Sequence, residues 1–296
     1  MSSAAETASR GLPRSRRWAG RRVAARTARA FVIVIVLAIG VLGLAPLYWM
    51  VVTSFETSGE ALNSPPDWFP THLTLANFKL ALQSAPLVQM FLNSLEVTSI
   101  IVVGSLVIAS AAAYGFTRIR PRGSRILFGI LLAGIMIPAQ VAVVPIFVVM
   151  RDLHLINQLA SVYLPALINV VVLFLLCQYI MSIPRELDEA ASIDGAGHFT
   201  IWFRIIFPLT RPALLAAAVF IGQTYWNDFF WPSVFLSTPS RMTLPVGLVE
   251  LQSQTGGGES VTVVFAAIVL VVLPVTILLL CCQRYLVRGI SLASGK

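Results

Sequence analysis

Six long apolar stretches, near residues 30–53, 92–116, 126–150, 159–181, 212–236 and 263–283, constrain this chain more than anything else in it. Crossing a bilayer as a helix takes about 20 predominantly apolar residues, and each stretch meets that length. The second carries a single charge, Glu96, and the fifth a single charge, Asp228. Over the whole chain 57% of residues are hydrophobic and 11% charged. Soluble domains carry about 25% charge, so the pattern predicts an all-α polytopic membrane protein with six transmembrane helices.

The basic residues set the expected orientation. Eight of them stand in the N-terminal tail, four at 117–125, three at 182–211 and three at the C-terminus; only Lys79, Arg151 and Arg241 fall on the other side. Positive residues resist translocation, which puts both termini and the long central loop in the cytoplasm, N-in and C-in. An even number of spans is needed for that result, and six supplies it. The net charge of +8 therefore reads as a topology and lipid-facing signal rather than a nucleic-acid arm. Residues 1–29 are expected to be a basic, disordered cytoplasmic tail. The apolar run from Phe31 to Phe55 is too long for a signal-peptide core, so it reads as a retained first helix. With Cys177, Cys281 and Cys282 inside or near membrane helices, neither a disulfide framework nor a zinc spacing is present. His72, His154 and His198 are scattered, so no metal site and no catalytic set is expected.

Between the spans, Pro65-Pro66 excludes regular helix at the start of the 56–91 loop, while Asn77 to Leu82 suggests a short surface helix. Ala109 to Ala113 are small enough for close helix approach. Pro138 and Pro145 should bend the third span, and Pro165 and Pro274 the fourth and sixth. Gly256-Gly257-Gly258 reads as a flexible tip rather than a phosphate cradle.

Residues 182–212, SIPRELDEAASIDGAGHFTIWFRIIFPLTRP, form a charged amphipathic segment between two apolar runs. Pro184 suits the first turn of a helix, and Glu186, Asp188 and Glu189 place negative charge near its positive end. Leu187, Ala190 and Ala191 recur at i, i+3 and i+4, giving one flat apolar face. Asp194-Gly195 should end this helix, because glycine accepts the left-handed cap conformation. A second helix follows with Phe199, Trp202, Phe203 and Ile206 on one face, closed by Phe207-Pro208, and Thr210 can cap the fifth span. On these patterns alone the segment is either a docking surface or a helix pair that merely covers the inner ends of the bundle.

Glu189-Ala190-Ala191, Gly195 and Ile205-x-Phe207-Pro208 resemble the EAA signature of membrane subunits of binding-protein-dependent ABC importers, with Phe207 where Leu is common. Further matches resemble the carbohydrate branch, the maltose-transporter-like six-span permeases. They are Trp68-Phe69-Pro70 to Asn77-Phe78, Asn93-Ser94-Leu95, Ala113 to Arg118, Ile137-Pro138, Leu155-Ile156-Asn157, Trp226 to Phe229 and Thr243-Leu244-Pro245. The resemblance implies the type I importer transmembrane fold. It implies a first helix and outer loop over 30–91, a transmembrane type-1 domain over 92–287 with its coupling loop at 182–212, and a short tail at 288–296. The resemblance also makes Glu189, Ala190, Ala191, Asp194, Gly195, Ile205 and Pro208 ATPase-coupling residues. The implied partners are a second permease, two ATPase subunits, an extracytoplasmic sugar-binding protein and membrane lipid, in a bacterial cytoplasmic membrane.

No Walker A loop occurs, so this chain should bind no cofactor, and ATP with Mg²⁺ belongs to partner chains. That makes it a transport subunit rather than an enzyme. Gln223, Tyr225, Trp226, Asn227 and Asp228 are candidates for a polar solute path. Asp228 has two open readings, a solute contact or a structural hydrogen-bond acceptor. The expected function is import of a sugar or oligosaccharide. A non-sugar solute such as glycerol phosphate, or an ion-coupled carrier, stands as the alternative.

Overall fold

The computed structural model describes residues 14–63, 69, 72–255 and 261–272, with side chains from Phe31 onward, and every regular element among the described residues is helical. The first helix, α1 (Arg14–Ser54), is longer than the apolar run predicts. Alanine and arginine are strong helix formers, so the basic tail is helical from Arg14 rather than irregular. A short surface helix, α2 (Ala76–Ser84), stands where Asn77 to Leu82 predicts one.

The organising element is α3 (Leu87–Tyr114), which runs on as a π-helical turn to Ile119. It packs chiefly against α6 (Ala160–Ala166), α7 (Val170–Met181), α10 (Arg211–Trp226) and α12 (Leu244–Thr255). Its buried positions explain why. Val97, Ile101, Ser105, Ala109 and Ala113 recur every four residues, and the small ones let neighbouring backbones close in. Ile101, Leu176, Ile180 and Ile221 fill the resulting core. A second apolar cluster lies at the other end of α3, where Met90 packs with Leu244, Val246 and Leu251 of α12 and with Val263 and Ala267 of α13 (Val261–Val272). Gly247 lies directly on Met90, and a Cβ there would overlap its sulfur.

Proline does more than bend the third apolar stretch. α4 (Ser124–Ile135) and the helical run Ala139–Asp152, which contains α5 (Val143–Asp152), meet at 96° around Pro138. Pro138 lacks a donor and disfavours helix in the residue before it, so the break falls there. The fourth stretch is α6 and α7 separated near Asn169, whose Oδ1 accepts a hydrogen bond from Val172 N. The fifth ends at Trp226; residues 227–229 are irregular, and α11 (Phe230–Phe235) follows. Of the sixth, residues 261–272 are helical, and Pro274, Cys281 and Cys282 lie outside the described residues, as do Gly256 to Gly258. Among the described residues three helices are long and apolar enough to cross a membrane, or up to five if each bent pair counts as one.

The loops are pinned by asparagines. Asn77 Nδ2 donates to Ser54 O and Glu56 O, at 3.0 and 2.8 Å, tying α2 to the end of α1. Asn93 Nδ2 donates to Ser240 O and Met242 O, at 3.0 and 2.9 Å, and Ser94 Oγ accepts from Leu244 N. Asn157 adopts φ +60° and its Oδ1 accepts from Ser237 N and Thr238 N. These residues sit in motifs that carry the sequence resemblance, and each joins segments far apart in the chain.

Candidate functional site

The charged segment folds as α8 (Glu186–Ile193) and α9 (His198–Leu209), with a π-helical turn at Trp202–Ile206 inside α9. Pro184 stands ahead of α8 rather than in its first turn, and Arg185 is the N-cap. Glu186, Asp188 and Glu189 do occupy the first turn, where the unpaired amides favour negative charge. At the other end Asp194 N donates to Ala190 O and Ala196 N to Ala191 O, while Gly195 has φ +82°. An L-residue with a Cβ loses about 1–2 kcal/mol in that left-handed region, so the reversal needs glycine. α9 then meets α10 at 74°. Thr210 does not cap α10; its hydroxyl donates to Phe207 O at 2.9 Å instead.

Charge fastens α8 to the bundle. Arg118, in the π-helical turn that ends α3, places Nε 2.9 Å from Asp188 Oδ2, with the two side chains 6% and 16% exposed. That contact is an ion pair without an aligned N–H. The directed bonds come from Arg118 Nη2, which donates to Ile180 O at 3.2 Å and Ile183 O at 2.7 Å. Those carbonyls are near the C-terminal end of α7, where a cation is favourable. Arg185 Nη2 donates to Thr117 O at 3.2 Å, and Tyr114 Oη shares a 3.3 Å hydrogen bond with His198 Nδ1. A small cleft of about 160 Å³ lies among these side chains. One guanidinium thus joins the ends of α3 and α7 to α8.

The predicted coupling residues divide into two sets. Glu189, Ala190 and Asp194 are exposed, next to Ile193 at 86% exposure and Phe199 at 73%. Ala191 turns inward against the core, so Ala190 and Ala191 do not share one flat outer face. Successive helical residues are 100° apart, and the inward direction of α8 is set by Asp188 and Ala191, at i and i+3. Ile205 and Pro208 are half-buried within α9. Phe199 and Phe203 stack at 6.1 Å with ring planes 5° apart, forming an exposed aromatic strip.

The predicted solute-path residues do not form one cluster. Tyr225 packs on the main core, and Trp226 meets Phe91 edge-on at 5.5 Å in the second cluster. Asn227 Nδ2 donates to Gln223 O at 2.8 Å, closing the last turn of α10, with both residues exposed. Asp228 Oδ1 accepts from Phe230 N at 3.0 Å and so caps α11. The site also pairs two residues that sequence patterning places only separately, Arg118 at the end of a family motif and Asp188 in the first turn of α8. A basic residue ending one span and an acid opening the next charged segment was the available signal, but nothing in their spacing paired them.

Residues 104–292 match a family described as the inner membrane component of binding-protein-dependent transport systems. This chain belongs to that family. Among its relatives are the arabinooligosaccharides transport system permease AraQ of Halalkalibacterium halodurans and the diacetylchitobiose uptake permease DasC of Streptomyces coelicolor. The first is 34% identical over 254 residues, covering 85% of this chain and 90% of that one. The second is 33% identical over 254 residues, covering 85% and 91%. A solved bacterial ABC transporter involved in import of the acidic polysaccharide alginate contains a chain of the same fold. It has a TM-score of 0.75 and 26% identity, covering 88% of this chain and 98% of that one. The permease is accordingly an inner-membrane transport subunit. In general such a component works with a further permease, an ATPase and a binding protein.

Proposed function

We propose that this permease is one half of the membrane pathway of an ATP-driven importer of oligosaccharides. The permeases named above for arabinooligosaccharides and diacetylchitobiose support a sugar cargo, as does a galactooligosaccharide permease of Bacillus subtilis, 33% identical over 259 residues. The basic end of the bundle faces the cytoplasm, in a six-span, N-in and C-in arrangement. There the exposed side of α8, with Glu189, Ala190 and Asp194, docks on one of two ATPase subunits that hold ATP and Mg²⁺. Gly195 fixes the angle to α9, while Ile205 and Pro208 seat α9 on the bundle. A different permease completes the path, and an external sugar-binding protein delivers the cargo. ATP binding and hydrolysis alternate the path between two global states, α8 being the element both states pull on.

The observation that carries this reading is the Arg118–Asp188 tie, which links an exposed, partner-ready helix face to the two central spans. The test is uptake of labelled oligosaccharide by proteoliposomes holding the whole complex. Glu189→Lys reverses a charge on the docking face, and Gly195→Pro cannot adopt the observed φ of +82°. Both variants should reach the membrane yet lose uptake while ATP is still hydrolysed. Normal uptake by both would remove the coupling role from this segment.

A further inference from the structure

At the end of α3 away from Arg118, three polar residues break the apolar helix on one face. Gln89, Asn93 and Glu96 stand at i, i+4 and i+7. They line one side of an open recess of about 540 Å³, whose other walls carry Gln158, Tyr163, Ser240 and Arg241. Small-molecule sites run from about 300 to 1,000 Å³, so the size is that of a ligand site. The side chains Gln89, Glu96, Gln158 and Arg241 are exposed rather than folded inward. A carboxylate exposed on a spanning helix is costly in lipid, so this face meets water or a polar ligand.

The wall is also built and rigid. Asn93 is buried, is held by Gln89 Nε2 at 2.9 Å, and clamps the 240–242 backbone through Ser240 O and Met242 O. That clamp fixes the Ser240–Arg241 side of the recess against α3. The lining offers both donors and acceptors, one acid, one base and one aromatic ring. A helix of another subunit would be expected to meet small or apolar residues at such a crossing, and the lining is mostly polar.

We infer that this recess is a contact site for the hydroxyl groups of a neutral oligosaccharide entering the pathway, with Glu96 accepting and Arg241 donating hydrogen bonds and Tyr163 offering a ring face. The inference deepens the importer reading and rests on it. It gives the solute contacts of this subunit to α3 and the 239–241 turn rather than to the end of α10.

The test compares Glu96→Gln and Arg241→Gln in the reconstituted complex. Cargo is labelled arabinooligosaccharide, diacetylchitobiose, galactooligosaccharide and an alginate fragment, each over a concentration range. Loss of one charge-assisted hydrogen bond should raise the half-saturating concentration of the transported neutral sugar by about tenfold. The companion permease and the ATPase should co-purify as with the wild type. Wild-type uptake with no shift in either variant overturns the inference and leaves the importer reading intact. Loss of uptake together with loss of the companion permease also overturns it, because the recess is then a subunit seam. A wild-type complex that imports none of the sugars overturns both.

Discussion

The two ends of this bundle are fastened by different chemistry. At the basic end, guanidinium groups hold helix ends together: Arg118 on Asp188 and on the Ile180 and Ile183 carbonyls at the end of α7, Arg185 on Thr117 O. At the opposite end, neutral amides do the same job: Asn93 on Ser240 O and Met242 O, Asn157 on the 237–238 amides. A neutral amide satisfies backbone groups at little desolvation cost and stays put. A buried ion pair is costlier to desolvate, but breaking it on one side leaves an uncompensated charge. The charged end also carries the glycine reversal, both π-helical turns and the exposed Ile193 and Phe199. The asparagine end carries a second closed apolar cluster. On the proposed importer reading, the charged end is the one that is gripped and moved as a unit, and the other holds its shape.

The comparison breaks most visibly at the ion pair. Asp188→Ala leaves the Arg118 charge buried with only carbonyl partners and should cost about 3 kcal/mol or more. The expected readout is a fall in thermal midpoint of the detergent-purified complex and in the amount of complex recovered. Replacing both partners, Arg118→Met with Asp188→Leu, should restore much of the stability, since a packed apolar pair is often no worse than the ion pair. Uptake should stay low in the double variant if the tie transmits motion. Full recovery of uptake would reduce the pair to a packing contact.

Next comes the asparagine end. Asn93→Leu removes three hydrogen bonds, including both to the Ser240 and Met242 carbonyls, at a cost of about 2 kcal/mol. The same thermal measurement should show a smaller fall than for Asp188→Ala. A larger fall would reverse the ranking of the two ends and with it the idea that the charged end bears the greater strain when cut.

Much of this division was legible in the sequence, and the limits have physical causes. Length and apolarity gave the helices, and Gly195 gave the reversal, because those signals are local. The break at Pro138 reads from sequence only as a bend, since whether a proline kinks or severs a helix depends on what packs beside it. The inward turn of Ala191 is not legible in the sequence, because an eight-residue helix has too few turns for its pattern to fix its rotation. Its rotation is set by Asp188 meeting Arg118, 70 residues earlier in the chain. The polar stripe Gln89, Asn93, Glu96 was visible as spacing but lay partly outside the expected start of the second span, since α3 begins at Leu87. Asn93 and Asn157 stood in recognisable motifs, yet their role as loop staples needed the partner carbonyls and amides to be in place.

The finest test separates two roles for one carboxylate. Asp228 Oδ1 accepts from Phe230 N at the start of α11, a bond that an amide oxygen can accept equally well. Asp228→Asn should therefore leave stability and uptake near wild type. Asp228→Leu removes the acceptor and should cost about 1 kcal/mol, seen as a small drop in thermal midpoint. If Asp228→Asn instead cuts uptake sharply while the thermal midpoint holds, the negative charge itself is required. The end of α10 then belongs to the solute path, and the asparagine-fastened end is less passive than its bonding suggests. The two variants together distinguish loss of a cap from loss of a charge, because only the leucine removes both.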